Sequence, residues 1–277
     1  MDRKKMMDDM YGPLYAPIPD SAKYLERIGM GPVVKADRET LDQIIIAHQR
    51  SVPFENLDIF DDDANHISLH IPALYDKIVV RRRGGYCFEC NTAFMALLQS
   101  LGYECYAIAV RIVMNNADRA LPITHKATIV TIDGVRLFCD VGFGGPSPQG
   151  SVLIDESFEQ PSGSNTFVFE RDGDTVTIYR LVDGSKDRLM VFVDEPVDPV
   201  DFLAPNEYQS RSKYSFFRMS RICNRVTETG NVTLGGNVLK VNSDSGTDET
   251  ILETEAQLRD ALKVHYGIDV DFPLKMS

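Results

Sequence analysis

The chain has no tryptophan and only five histidines in 277 residues. Acid–base chemistry near neutral pH therefore falls on a short list of side chains. No uncharged apolar run approaches about 18 residues, the length a membrane-spanning helix needs. The opening Met1 to Asp9 also lacks an apolar stretch of signal-peptide length. A cytoplasmic protein is the expectation. Positive charge is in deficit, with 29 Lys and Arg against 41 Asp and Glu, a net −12. Such a field repels nucleic-acid backbones and anionic lipid, so neither nucleic acid nor membrane is an expected partner. A small anion would need a local basic cluster or helix N-termini. The cysteines are few and odd in number, Cys87, Cys90, Cys105, Cys139 and Cys223. In a chain too long to need stapling they read as free thiols in a reducing compartment.

What is present is the composition of a folded protein, 43% hydrophobic and 25% charged. The length exceeds what one compact core usually holds, so two or three sub-domains are expected. Residues 1–20 carry Pro13, Pro17 and Pro19 with little apolar periodicity, and read as an extended arm. Helical spacing follows around Tyr24, Leu25 and Ile28, again from Thr40 to Arg50, and from Ile71 to Val80 with Pro72 in the first turn. Another helix is expected from Cys87 to Leu101, closed by Gly102. Beyond it the period changes to two. Segments 105–113, 124–132, 135–141, 165–170, 175–181 and 188–193 read as strands of a twisted sheet or small barrel. Residues 194–205 read as a linker, followed by short strands and a helix from Glu255 to Tyr266.

The sharpest local feature is Arg83-Gly84-Gly85-Tyr86-Cys87-Phe88-Glu89-Cys90-Asn91. Two glycines permit a tight turn, and Cys87 falls at a helix entrance, where unpaired N–H groups and the helix dipole favour a thiolate nucleophile. A base and its orienter follow from a register count. If Asp133-Gly134 is a two-residue hairpin, Ile132 pairs with Val135 and Asp140 stands opposite Ala127. His125 is then a diagonal neighbour of Asp140 on the same face, within reach of a hydrogen bond. Such an aspartate fixes the imidazole tautomer and leaves the other ring nitrogen to take the thiol proton.

The remaining candidates are weaker. His48 lies on an apolar stripe and reads as a packed core residue. Cys87 and Cys90 form a C-x-x-C pair, yet no second pair completes a zinc site and no thioredoxin-like context precedes it, so no metal is expected. Cys90 could serve as a resolving thiol, though core packing is the simpler reading. Asp61-Asp62-Asp63 reads as a solvated loop, and Arg81-Arg82-Arg83 as a solvated or locally paired turn.

Taken together these residues resemble the arylamine N-acetyltransferases. The likeness runs from Tyr24 to Ile268 through Pro53-Phe54-Glu55-Asn56-Leu57, the Arg83 to Asn91 segment, Thr124-His125 and Asp140-Val141-Gly142-Phe143-Gly144. Asn206, Tyr208, Ser210, Ser215 and Phe217 resemble the segment that family places around its cofactor, and Tyr266-Gly267-Ile268 its ending. The resemblance implies an α+β fold with a cysteine-protease-like core in three parts: a helical bundle (21–102) carrying Cys87, a β-barrel (103–193) carrying His125 and Asp140, and a linker with an α/β lid (194–277). It implies Cys87 as acetyl acceptor, His125 as base and Asp140 as orienter. Phe54 and Phe143 would line the acceptor pocket, and Gly142, Gly144, Tyr208 and Ser215 would lie near coenzyme A. Acetyl-CoA would be the co-substrate and an aromatic amine, hydrazine or arylhydroxylamine the acceptor, in a ping-pong reaction. The alternatives are a papain- or transglutaminase-like amidohydrolase using the same triad, and a non-catalytic acyl-CoA-binding relative. Three features depart from the family pattern: Cys90, Lys213-Tyr214 and the arm before Ser21. A bulky Tyr214 would narrow the cofactor cleft or select another acyl donor, and the arm could also cover that cleft.

Overall fold

The computed structural model describes residues 2–62, 66–114 and 122–276. Its first part contains α1 (Arg3–Tyr11), α2 (Ser21–Arg27), α3 (Arg38–Ser51), β1 (Phe54–Glu55), α4 (Leu57–Phe60), α5 (Ile71–Tyr75) and α6 (Cys87–Ser100). Then come β2 (Glu104–Ile112), β3 (His125–Ile132), β4 (Val135–Cys139), β5 (Val152–Leu153), β6 (Gln160–Ser162), β7 (Asn165–Asp172), β8 (Thr175–Val182) and β9 (Ser185–Val193). The last part holds α7 (Leu203–Arg211), β10 (Ile222–Val226), β11 (Asn231–Gly235), β12 (Val238–Ser243), β13 (Gly246–Ile251) and α8 (Glu255–Ala261). Among the described residues no helix is long and apolar enough to cross a membrane.

Each helix starts and stops for a local reason. The Asp37 carboxylate accepts from Thr40 N at 3.0 Å and opens α3, whose Leu41, Ile44, Ile45 and His48 form one buried stripe. Thr254 and Gln257 make a reciprocal capping box at α8. Gly102, with φ of 89°, takes the left-handed conformation that ends α6.

The fold is α+β, with antiparallel pairing throughout its two sheets. The larger sheet runs in the order β5-β4-β3-β2-β9-β8-β7-β6. Its two edge strands are joined by a side chain: Gln160 accepts from Leu153 N and donates to Leu153 O, each at 2.9 Å. One amide thus stands in for a missing strand pair and nearly closes the barrel. Phe138, Phe169 and Phe192 fill the interior with Ile108, Ile129 and Ile178. The smaller sheet runs β1-β10-β11-β12-β13, so the two-residue strand after α3 is stitched to the C-terminal part.

Three expectations are corrected. The arm is not extended: α1 is helical, and Leu14 and Ile18 after it are buried at 3% and 6% exposure. The stretch 194–205 is more than a linker, since a 3-10 turn at Pro199–Phe202 leads into α7 and buries Phe202. Asp61 is not solvated; it makes a fully buried ion pair with Arg221 at 2.6 Å, while Asp63 lies outside the described residues. The strands β1, β5 and β6, of two or three residues each, are too short to carry a period-two signal.

Candidate active site

The turn before α6 is built on close approach. A Cβ on Gly84 would lie 1.9 Å from Pro53 O, and one on Gly85 would lie 2.8 Å from Glu89 Cβ. Only glycine fits at either place. The absence of side chains lets Gly85 pair with the β1 segment, donating to Pro53 O at 3.3 Å and accepting from Glu55 N at 3.0 Å. Cys87 becomes the first residue of α6, 2% exposed. Beneath it, Arg83 donates to Glu55 Oε1 and Asp58 Oδ1 at 2.7 and 2.8 Å. Lys77 meets Asp58 at 2.8 Å and Glu89 at 2.7 Å. Glu89 in turn accepts from Tyr86 N at 3.1 Å, so the buried charges hold the backbone immediately before the cysteine.

Across the cleft, the hairpin count holds. Asp133 and Gly134 have φ of 52° and 79°, the left-handed pair of a two-residue turn, and Ile132 pairs with Val135. His125 Nε2 and Asp140 Oδ2 lie 2.7 Å apart in a buried ion-pair geometry. The second carboxylate oxygen accepts from Asn91 Nδ2 and Gly142 N, both at 2.9 Å. Asn91 also donates to Lys126 O at 2.6 Å and accepts from Val141 N at 3.0 Å. One side chain on α6 therefore joins the helix that carries Cys87 to β3, which carries His125, and to the residues just past β4, where Asp140 stands.

Cys87 and His125 face one cavity of about 620 Å³, with Phe54, Phe143, Tyr208 and Phe217 among its walls. The Phe143 ring packs edge-on against His125, centroids 5.6 Å apart, and confines the imidazole. Cys87 Sγ donates to Thr124 O at 3.4 Å. Burial pushes this thiol well above its usual range and the Asp140 carboxylate pushes the same way, while the Phe88 N–H opposes them. The Phe88 N–H favours the thiolate, as expected at a helix entrance, but burial outweighs it, so ionisation requires a neighbouring base to carry the proton and keep a positive charge beside the sulfur.

Comparison with known proteins identifies the family. Residues 37–275 match the family model described as N-acetyltransferase. The arylamine N-acetyltransferase of Mycolicibacterium smegmatis is 34% identical over 91% of this chain and 92% of its own length. The chain belongs to the arylamine N-acetyltransferase family. The crystal structure of a Mycobacterium smegmatis arylamine N-acetyltransferase superposes with a TM-score of 0.84 at 33% identity, over 90% of this chain and 92% of that one. The Mycobacterium marinum arylamine N-acetyltransferase, solved in complex with CoA, superposes with a TM-score of 0.83 at 28% identity, over 90% and 93%.

Within this arylamine N-acetyltransferase fold the expected binding residues divide. Phe54, Phe143, Gly144 and Tyr208 line the cavity beside Cys87. Gly142 and Ser215 do not. A Cβ on Gly142 would sit about 3 Å from Asn91 Nδ2, Cys87 Cα and Cys90 Cβ, so this glycine is packed behind the triad. Ser215 is 1% exposed and spends its hydroxyl on Gln209 O at 2.5 Å. Tyr214 is 71% exposed and borders the cavity, with the exposed Phe216 nearby in sequence. Sequence reasoning missed Gln209, Ile112 and Met114, which also line the wall; none stands in a motif. Asn91 was visible as the last residue of the Arg83 to Asn91 segment, but its part in joining three elements was not. Cys90 is fully buried and donates to Gly85 O at 3.1 Å, and burial raises its thiol further, which leaves the core reading of Cys90 the better one. His48 is a core residue, 2.9 Å from the Tyr24 hydroxyl and lowered to about 3 by burial.

Proposed function

We propose that the chain is an acetyl-CoA-dependent arylamine N-acetyltransferase working through an acetyl-Cys87 intermediate. In the first half-reaction His125 takes the Cys87 proton at Nδ1, the ring nitrogen not committed to Asp140. Cys87 Sγ attacks the thioester carbonyl, and the carbon–sulfur bond to coenzyme A breaks as coenzyme A leaves as the thiol with the proton from His125. In the second half-reaction the nitrogen of an aromatic amine or hydrazine, or the oxygen of an arylhydroxylamine, attacks acetyl-Cys87, and His125 accepts the acceptor's proton and returns it to the departing sulfur. Asp140 stabilises the imidazolium in both halves. Aromatic amines suit the second step because they are neutral at pH 7. A cavity of about 620 Å³ with aromatic walls has the size and lining for a slender thioester arm or an aromatic ring. Phe54 and Phe143 are the proposed acceptor walls, and Gly144 and Tyr208 the proposed coenzyme contacts.

The observation that carries this reading is the buried His125–Asp140 contact at 2.7 Å facing the same cavity as a helix-entrance cysteine, in a chain of this family. The test is intact-protein mass spectrometry after brief exposure to acetyl-CoA without acceptor. One acetyl adduct on the native chain, absent from Cys87→Ser and discharged by an arylamine, is the expected result. No adduct and no release of free coenzyme A would overturn it and return the triad to amide hydrolysis.

A further inference from the structure

Successive residues of a strand point to opposite faces. His125 faces the triad cleft, and Lys126, the next residue of β3, faces the other side. There it is 1% exposed. Its Nζ donates to Thr92 Oγ1 at 2.8 Å and stands 4.7 Å from the centroid of the Phe202 ring. An ammonium carries three donors, and no carboxylate among the described residues pairs with this one. Burying an unpaired cation costs several kcal/mol, and the chain has 41 carboxylates from which a partner could have been drawn.

Lys126 borders a second cavity of about 530 Å³, which shares no lining residue with the cleft of Cys87. Its walls include Met95 and Ala96 of α6 and Ala107 of β2, and its roof includes Leu14 and Tyr15 from the N-terminal segment. The Tyr15 hydroxyl is bonded to Asp198 at the rim, which latches that segment over the opening. The volume lies in the range of small-molecule sites. Lys126 is the one cation among the lining residues and Asp198, held by the Tyr15 hydroxyl, the one carboxylate; at the buried Lys126 end the cation suits a monoanion, and the aliphatic walls suit an apolar body over a hydrated inorganic ion.

We propose that this cavity binds a small monocarboxylate with an apolar body, its carboxylate on Lys126 Nζ and Thr92 Oγ1, beneath the N-terminal segment. The unmet counter-charge is supplied by the ligand. Burial lowers Lys126 to about 7, and the neighbouring Cys105 thiol on β2, itself raised to about 12 by burial, is neutral there and supplies no counter-charge. The other titratable groups around the chamber are engaged, Tyr106 with Asp194 and Tyr15 with Asp198. A carboxylate binds the ammonium form, so affinity is highest below pH 7 and falls about tenfold per unit above it.

The test is isothermal titration of hexanoate into the full-length Cys105→Ala chain whose Cys87 has first been blocked with iodoacetamide, so that the label cannot enter this cavity. The blocked cleft separates this binding from acetyl transfer, whatever the fate of the proposed catalytic role. One hexanoate per chain is expected, with hexanamide and the Lys126→Met variant each weaker by about tenfold or more. Gln99→Trp, on the exposed flank of α6 at the same wall, adds bulk without entering the core and is expected to weaken binding even if Lys126→Met fails to fold. Absence of heat at millimolar hexanoate, equal binding of hexanamide, or a pH-independent affinity would overturn the proposal.

Discussion

His48 and His125 are both buried histidines, and what separates them is what each ring meets. His48 has a tyrosine hydroxyl at Nε2 and no carboxylate, so burial keeps it neutral to about pH 3. His125 has Asp140 at Nε2, which orients the ring with Nε2 as donor and frees Nδ1 as acceptor. The Asp140→Asn variant reverses that assignment. Its amide can still accept from Asn91 and Gly142, so the fold is retained, but its NH₂ faces Nε2 and forces the proton onto Nδ1. Turnover is expected to fall about 10³–10⁴-fold, read as coenzyme A release in a single turnover, with an unchanged near-ultraviolet circular dichroism spectrum as the control. This pairing was legible because Asp133-Gly134 names its own turn type, and the turn sets the register of both strands. The setting of Gly142 and Ser215 was not legible for the complementary reason. A motif locates a residue along the chain without saying which way its backbone faces, and neither residue lines the cavity beside Cys87.

At the level of the element, the entrance of α6 rests on three buried carboxylates, Glu55, Asp58 and Glu89, against two cations, Lys77 and Arg83. The carboxylates are not equivalent. Lys77 and Arg83 overcome burial at Asp58 and hold it below the usual carboxylate range, whereas at Glu89 burial wins and raises it. A depressed carboxyl contributes stability that is complete above its unfolded value of about 4 and is lost as pH falls toward the folded value. A raised carboxyl takes up its proton in the folded state first, so acidification toward pH 4 relieves Glu89 and does not weaken it. Asp58→Asn is therefore expected to cost about 3–5 kcal/mol at pH 7, as breaking a buried pair does, and to flatten the acid limb of the stability curve. Glu89→Gln keeps one acceptor for two donors, Lys77 Nζ and Tyr86 N, and is expected to cost about 1–3 kcal/mol, less than Asp58→Asn because burial already opposes this carboxylate. Urea unfolding between pH 3 and 7 checks both; a larger loss for Glu89→Gln would reverse the argument. None of this ledger was legible in the sequence, where Arg83 read as a solvated or locally paired turn, because the three carboxylates come from β1, α4 and α6 and meet only in the fold.

Across the whole molecule the N-terminal segment shows where periodicity reasoning stops. Helix α1 has no buried residue among those whose side chains are described, and Asp2 caps it locally through Lys4 N at 3.0 Å. Met6, Met7, Met10 and Tyr11 fall at helical spacing, but only Met6 and Tyr11 are half-buried, so the stripe is short and contributes little core. The anchor comes afterwards, at Leu14 and Ile18, which enter two different core clusters on either side of Pro17. Leu14 packs in the cluster that also contains Phe54, Tyr86, Cys87 and Phe202, so the segment is held by the same core that supports the cysteine. Truncating Leu14 to alanine removes a 3% exposed side chain from that cluster and is expected to cost about 2–4 kcal/mol in transfer and cavity terms. Met7→Ala, on the 41% exposed surface of α1, is expected to change stability by about 0.5 kcal/mol or less. Denaturant midpoints at constant slope measure the contrast. Equal, small effects of the two substitutions would mean that the segment lies on the molecule without being anchored, and that the cavity beside Lys126 has no fixed roof.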